Sequence, residues 1–151
     1  MSIRVQRDDF DPGAEIARMT AGRTDIGAIT SFVGLVRGTA DTGSAMTLEH
    51  YPGMTERQLT AIEAEARKRW PLDDILVIHR FGRLTPGERI VLVAVTSSHR
   101  AAAFAACEFL IDWLKTKAPF WKLEEGPDGD HWVDAKDDDE SRAQRWNDED
   151  R

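Results

Sequence analysis

Six basic side chains carry the chemistry this sequence offers: Arg37, His99, Arg100, Lys115, Lys117 and Lys122. Five of them punctuate one stretch, TSSHRAAAFAACEFLIDWLKTKAPFWKLE over 96–124. A cationic set without a metal or a good nucleophile suits binding an anionic substrate and moving protons on it. The other chemistries are poorly served. The four histidines, at 50, 79, 99 and 131, show no short metal-ligand spacing, and the single cysteine, Cys107, has no near partner. There is no P-loop, no dinucleotide fingerprint and no nucleophile elbow. Cys107 lies in the middle of an apolar run and reads as core filler rather than a nucleophile.

A helix must position these cations. Ser97 and Ser98 are N-cap candidates, the run Ala101–Ala106 favours helix, and Ala118-Pro119 stops it. Phe104, Cys107, Ile111 and Leu114 fall near one line at helical spacing, and Lys115 lies about 20° from Phe104 on the wheel. The expectation is therefore that Lys115 projects from the packed face, where it either snorkels or, partly desolvated, works as an acid or base. At the helix start, His99 and Arg100 put positive charge on the positive end of the macrodipole, unfavourable by about 0.3–1 kcal/mol unless an anion binds there. Solvated surface charge is the plain alternative at that end, and a dipole-complementing lysine is the plain alternative at the other. Sixteen positions at the helical rise separate His99 from Lys115 by about 24 Å. One small ligand cannot span that within one chain, so the two ends are expected to serve different copies of the site.

Around the helix the chain reads as one α/β domain over 1–136. IRVQ at 3–6 is a short strand, and Asp11-Pro12 opens a helix that Gly22 ends. The run 27–36, GAITSFVGLV, is apolar on both faces and is expected to be a central strand. Arg37 follows at the junction with a loop rich in Gly, Ser, Thr and Asp, a common place for a ligand contact and equally for an ordinary strand-end charge. AMTLEHY at 45–51 is a strand, and Thr55 with Gln58 marks a capping box opening a helix to Trp70. DILVIHR at 74–80 and RIVLVAVTS at 89–97 are strands; His79 reads as a partly buried, hydrogen-bonded histidine before a ligand. FWKLEE and HWVDAK flank a Gly-containing turn as a β-hairpin. Beyond Asp137 the tail is acidic and expected to be disordered over 137–151.

With 27 Asp+Glu against 20 Lys+Arg and a net charge of −7, the chain is a poor general binder of nucleic acid or anionic membranes. No signal peptide or membrane-spanning run is evident, and one lone cysteine fits a reducing cytoplasm.

Four separated motifs, LEHYPGMTE (48–56), RWPL (69–72), VTSSHRAAAF (95–104) and LKTKAPFWK (114–122), resemble the catalytic large subunit of molybdopterin synthase, in order and spacing from about residue 26 to 136. The resemblance implies an α/β hammerhead fold with an added β-rich subdomain. It implies a homodimer within a heterotetramer, with a small ubiquitin-like sulfur-carrier subunit at each end. The carrier's C-terminal Gly-Gly thiocarboxylate would deliver sulfur to cyclic pyranopterin monophosphate, making the chain a sulfurtransferase of molybdenum cofactor biosynthesis without a resident cofactor. By motif position, Lys115 is the principal catalytic residue and Lys122 the second lysine of the pocket. Phe32, Arg37, His99, Arg100 and Lys136 are substrate-binding, with His99 and Arg100 reaching in from the neighbouring protomer. Lys136 and Lys117 stand where some relatives carry arginine; a lysine at 136 keeps the charge but not the bidentate fork. The alternatives from other classes are a non-catalytic module that binds a ubiquitin-like tail or a phosphorylated metabolite, and a Schiff-base lysine enzyme acting alone.

Overall fold

In the computed structural model, which describes residues 3–38, 45–125, 129, 131–133 and 137–148, the chain runs β1 (Ile3–Gln6), α1 (Pro12–Thr20), β2 (Ala28–Leu35), β3 (Met46–His50), α2 (Met54–Arg69), β4 (Asp74–Arg80), β5 (Gly82–Leu84), β6 (Arg89–Ser97), α3 (Arg100–Thr116), β7 (Phe120–Glu124), β8 (His131–Val133) and α4 (Asp137–Asp148). The class is mixed α/β, as the sequence predicts. The strands form two sheets, in the orders β1-β4-β6-β2 and β5-β3-β7-β8. β1 lies parallel to β4, and the other pairs are antiparallel.

β6 is the spine of the first sheet, and alternation along it feeds two cores. Val91, Val93 and Val95 pack with Ala106, Cys107 and Leu110 of α3 and with Leu59 and Ala66 of α2. Leu92 and Ala94 pack on the other side with Phe10 and with Ile16 and Met19 of α1. Helices thus cover both faces of the sheet. α1 starts at Pro12 as expected, and the Asp11 side chain accepts from the Ala14 amide at 3.1 Å. No helix among the described residues is long and apolar enough to cross a membrane.

Several expectations need correction. β2 is not central but the edge of its sheet, because β6 lies between it and β4 and, among the described residues, none pairs with the outer side of β2. Its apolar residues are consequently half-bare: Ile29 is 39% exposed, Phe32 36% and Leu35 54%. Neither serine caps α3. Ser97 ends β6 and its hydroxyl donates to the Pro71 carbonyl at 2.8 Å, while His99 holds the N-cap position without a side-chain cap bond. α2 opens two residues earlier than Thr55 predicts. Gly53, at φ +82°, takes the left-handed conformation that glycine tolerates, and Glu56 reaches back to accept from its amide at 2.5 Å. Thr55 is instead fully buried, accepting from the Tyr51 amide at 3.2 Å and donating to the Pro119 carbonyl at 3.4 Å.

The packed side of α3 holds Cys107, Ile111 and Leu114 as predicted but not Phe104. Its buried stripe is Ala103, Ala106, Cys107 and Leu110, and Phe104 is 62% exposed. Alanines let the helix lie close on the sheet, and the larger Phe104 is left outside. The residues expected to form a disordered tail are α4 over Asp137–Asp148, docked on α3 with Ala143 and Trp146 buried. The Trp146 ring meets Phe109 and Trp70 edge-on, at 5.6 Å from each.

Candidate active site

Strand register fixes which cations share an end of the molecule. Ala28 pairs with Ser97, so β2 begins where α3 begins; Leu35 pairs with Arg89, so β2 ends where β6 starts. α3 packs back along β6 and β2, and its last turn reaches that second end. There Lys115 lies near enough to His79, itself opposite Val91 of β6, for its charge to act on the imidazole. Lys115 is exposed, correcting the expectation that it leaves from the packed face. Its wheel position relative to Phe104 holds, and both lie on the outer side.

The second sheet brings Lys122 to the same place. His50 pairs with Phe120 and Leu48 with Lys122. Antiparallel partners share a face, so Phe120 and Lys122 project with His50 and the buried Leu48, about 7 Å apart along β7. Lys122 is half-buried and pairs with Glu124 at 3.3 Å, two residues on. The Phe120 ring stacks on His79, centroids 3.8 Å apart and planes 18° from parallel. On the second-sheet side His50 lies 6.2 Å from Phe120 and 4.3 Å from Phe81. The His50 Nε2 stands 3.8 Å from Glu56. Lys115, through its charge on His79, and Lys122, two residues from Phe120 on the same strand face, are thus both tied to the ring pair that joins the two sheets.

His79 is the most perturbed group of this end. It is 7% exposed, and its Nδ1 lies 2.8 Å from the Arg80 carbonyl. A carbonyl only accepts, so Nδ1 carries a proton. Burial pushes its pKa down to about 4; the Arg80 contact opposes this, and the charges of Lys115 and His50 reinforce it. The expectation of a buried, hydrogen-bonded histidine holds. Its link to Phe120, and the place of His50 and Phe81 beside that pair, are not predicted from the sequence. The signal was thin: two histidines at strand ends, each beside an aromatic or basic neighbour.

Arg37 lies at this end as well, exposed just past β2. The backbone before it is clamped to the turn ahead of β6: the Val36 amide donates to Glu88 at 2.9 Å and the Gly87 amide to Val36 at 2.8 Å. Phe32 sits mid-strand opposite Val93, on the α3 side of the sheet. His99 and Arg100 are at the far end, both exposed. The start of α3 is pressed there against Gly27, whose amide donates to Ser97 at 3.0 Å and where a Cβ would come within 2.0 Å of the Ser98 carbonyl oxygen. Lys136 lies outside the described residues. One chain thus gathers Lys115, Lys122 and Arg37 at one end and holds His99 and Arg100 at the other.

Cys107 is buried, its thiol pushed up to about 12 by desolvation and by the charge of Glu108. It contributes no thiolate to either end. Among the described residues no three His, Cys, Asp or Glu side chains cluster to hold a metal ion. The end that carries Lys115 and Lys122 can hold an anion and exchange protons with it.

Known proteins share both the sequence and this arrangement of elements. Residues 5–117 match the family model described as MoaE protein. A molybdopterin synthase catalytic subunit from Mesorhizobium japonicum is 54% identical over 147 residues, covering 96% of this chain and 92% of that one. Among solved structures, the molybdopterin biosynthesis MoaE protein from Burkholderia ambifaria has a TM-score of 0.83 at 53% identity, covering 97% of both chains. A molybdopterin synthase from Staphylococcus aureus has a TM-score of 0.77 at 30% identity, covering 86% of this chain and 95% of that one.

Proposed function

The chain belongs to the MoaE protein family, and from that premise we propose that it is the catalytic subunit of a molybdopterin synthase. The reaction is sulfur transfer to cyclic pyranopterin monophosphate, from the C-terminal thiocarboxylate of a small ubiquitin-like carrier, to give molybdopterin. The observation that supports this reading best is that Lys115 acts electrostatically on His79 while Lys122 shares a strand face with Phe120, the ring stacked on His79. Two ammonium groups at one mouth suit an anionic substrate and an incoming carboxylate-like tail. Lys115 takes the acid/base role or captures the acyl group transiently, and Lys122 is the second lysine of the pocket. Arg37 contacts the substrate phosphate, and Phe32 lines the pocket. Lys136 is assigned to substrate binding from its place in the sequence.

The chain brings no reactive sulfur of its own, since Cys107 is buried and held as a thiol. Sulfur arriving on a partner accounts for that. His99 and Arg100 lie a helix length from Lys115, so they complete the pocket of a second copy. The bare apolar edge of β2, with Ile29, Phe32 and Leu35, supports a contact between copies, since unpaired strand edges and exposed apolar residues are where chains associate. The test is direct: purified chain, thiocarboxylated carrier and cyclic pyranopterin monophosphate are combined and the dithiolene product is detected. Product that depends on all three supports the reading, and its absence with active reagents overturns it.

A further inference from the structure

The segment between the two lysines is short and has one large side-chain anchor. After α3 the backbone turns tightly. The Lys117 and Ala118 amides both donate to Trp113, at 2.8 and 3.3 Å, and the Phe120 amide donates to Ala118 at 2.8 Å. The Phe120 ring then stacks on His79 of the first sheet at 3.8 Å, with His50 of its own sheet 6.2 Å away. Lys115 precedes Phe120 by five residues and Lys122 follows by two. Whatever fixes the Phe120 ring fixes the base from which both lysines reach.

His79 is built to do that. It projects from the end of β4 in the first sheet, whereas Phe120 belongs to the second, so the pair joins the two sheets beside the lysines. The ring is oriented by the 2.8 Å contact of Nδ1 with the Arg80 carbonyl. Arg80 is itself buried, donating to the Arg7 and Arg89 carbonyls at 3.0 Å each, and its guanidinium is thereby held by other groups. The groups that act on His79 electrostatically are Lys115 from α3 and His50 from β3, and both favour a neutral ring.

We infer that His79 is a positioning residue of the proposed site: its flat ring, stacked on Phe120, sets that ring and, through it, the spacing of Lys115 and Lys122. This rests on the reading that those lysines act on the substrate. It assigns His79 no proton transfer and no contact with substrate. Displacement of a reacting group by about 1 Å is enough to slow catalysis by two orders of magnitude. A stacking partner at 3.8 Å is thus under tight geometric demand.

The experiment compares wild type, Lys115→Ala, His79→Phe and His79→Leu in steady-state conversion with the thiocarboxylated carrier, each checked for folding by circular dichroism at assay temperature. Leucine fills the space without a flat ring; phenylalanine keeps the ring and gives up only the bond to Arg80. The expected result is that His79→Leu lowers kcat by about tenfold or more with KM within about twofold, and that His79→Phe stays within about threefold of wild type. A kcat for His79→Leu within threefold of wild type overturns the inference, as does an equal loss in a folded His79→Phe. Should His79→Leu not fold, Phe120→Leu breaks the same pair from the other side and carries the same two outcomes. If Lys115→Ala converts as fast as wild type, the role given to Lys115 falls and the inference with it; if wild type gives no product with active reagents, the functional reading falls. If Lys115→Ala is inactive and His79→Leu is unimpaired, the inference alone falls.

Discussion

Asp112 accepts a hydrogen bond from the indole Nε1 of Trp146 at 2.7 Å, and this bond seats α4 on α3. Arg145 donates to the same carboxylate oxygen at 3.1 Å and also pairs with Glu108. The carboxylate is buried, so removing it strands a buried indole donor and half of an ion pair. Asp112→Ala is expected to lower unfolding stability by about 2–4 kcal/mol, and Asp112→Asn, which keeps one acceptor oxygen, by clearly less. Urea titrations give both values; an unchanged midpoint for Asp112→Ala would show that α4 is not held this way.

His79 sets an acid limb to stability. The unfolded chain protonates this histidine as pH falls through about 6.5, whereas the folded chain, its pKa pushed down to about 4, does not until later. Between those values the unfolded state binds more protons, so folding stability falls as pH drops and levels off below about 4. The full contribution is about 3 kcal/mol. Wild type is expected to lose about that much more than His79→Phe between pH 7 and pH 4 in urea unfolding. Parallel losses in the two proteins would show that His79 does not titrate differently on folding.

Cys107 is expected to be inert in the native protein. With its thiol pushed up to about 12, against 9 for an ordinary one, its thiolate population falls about a thousandfold. Alkylation at pH 8 is therefore slow in buffer and fast in denaturant. Native labelling at the denatured rate would contradict the burial that removes this sulfur from the chemistry.

A site shared between two copies makes a quantitative claim about mixtures. Arg100→Ala and Lys115→Ala are each expected to be inactive. After subunit exchange of an equimolar mixture, half of the dimers are mixed, and each of those has one intact pocket, so activity returns to about a quarter of wild type. Activity that stays at the parental level, with exchange demonstrated by co-purification of two tags, argues against pockets built from both copies.

Much of this was readable from the residues. The runs 74–80 and 89–97 became β4 and β6 at the predicted bounds, because each is an uninterrupted apolar stretch between turn residues. β5 was missed: three residues around Gly82 give no alternation to read. The edge position of β2 was missed for a different reason. Apolar faces report that a strand will be covered, not that its cover lies within the same chain. The rotated face of α3, which keeps Cys107, Ile111 and Leu114 on the packed side but leaves Phe104 outside, came from the alanines at 103 and 106, which pack well yet look neutral beside Phe104. The charge of the tail predicts disorder, whereas its one large apolar residue, Trp146, finds its partner in Asp112 far back in the chain. The spacing of LKTKAPFWK brought Lys115 and Lys122 into one proposal, but the ring pair to which both are tied depends on register across two sheets, which local spacing does not contain.

The central claim is that this chain performs sulfur transfer, with Lys115 at its centre, and does not merely dock a carrier tail or a phosphorylated metabolite. The most direct measurement is single-turnover conversion of cyclic pyranopterin monophosphate by wild type and Lys115→Ala, each loaded with thiocarboxylated carrier, with carrier binding measured in parallel. The predicted result is carrier binding unchanged in both, dithiolene product from wild type, and product from Lys115→Ala slower by at least about a hundredfold. Conversion by a folded, carrier-bound Lys115→Ala at the wild-type rate would contradict the account.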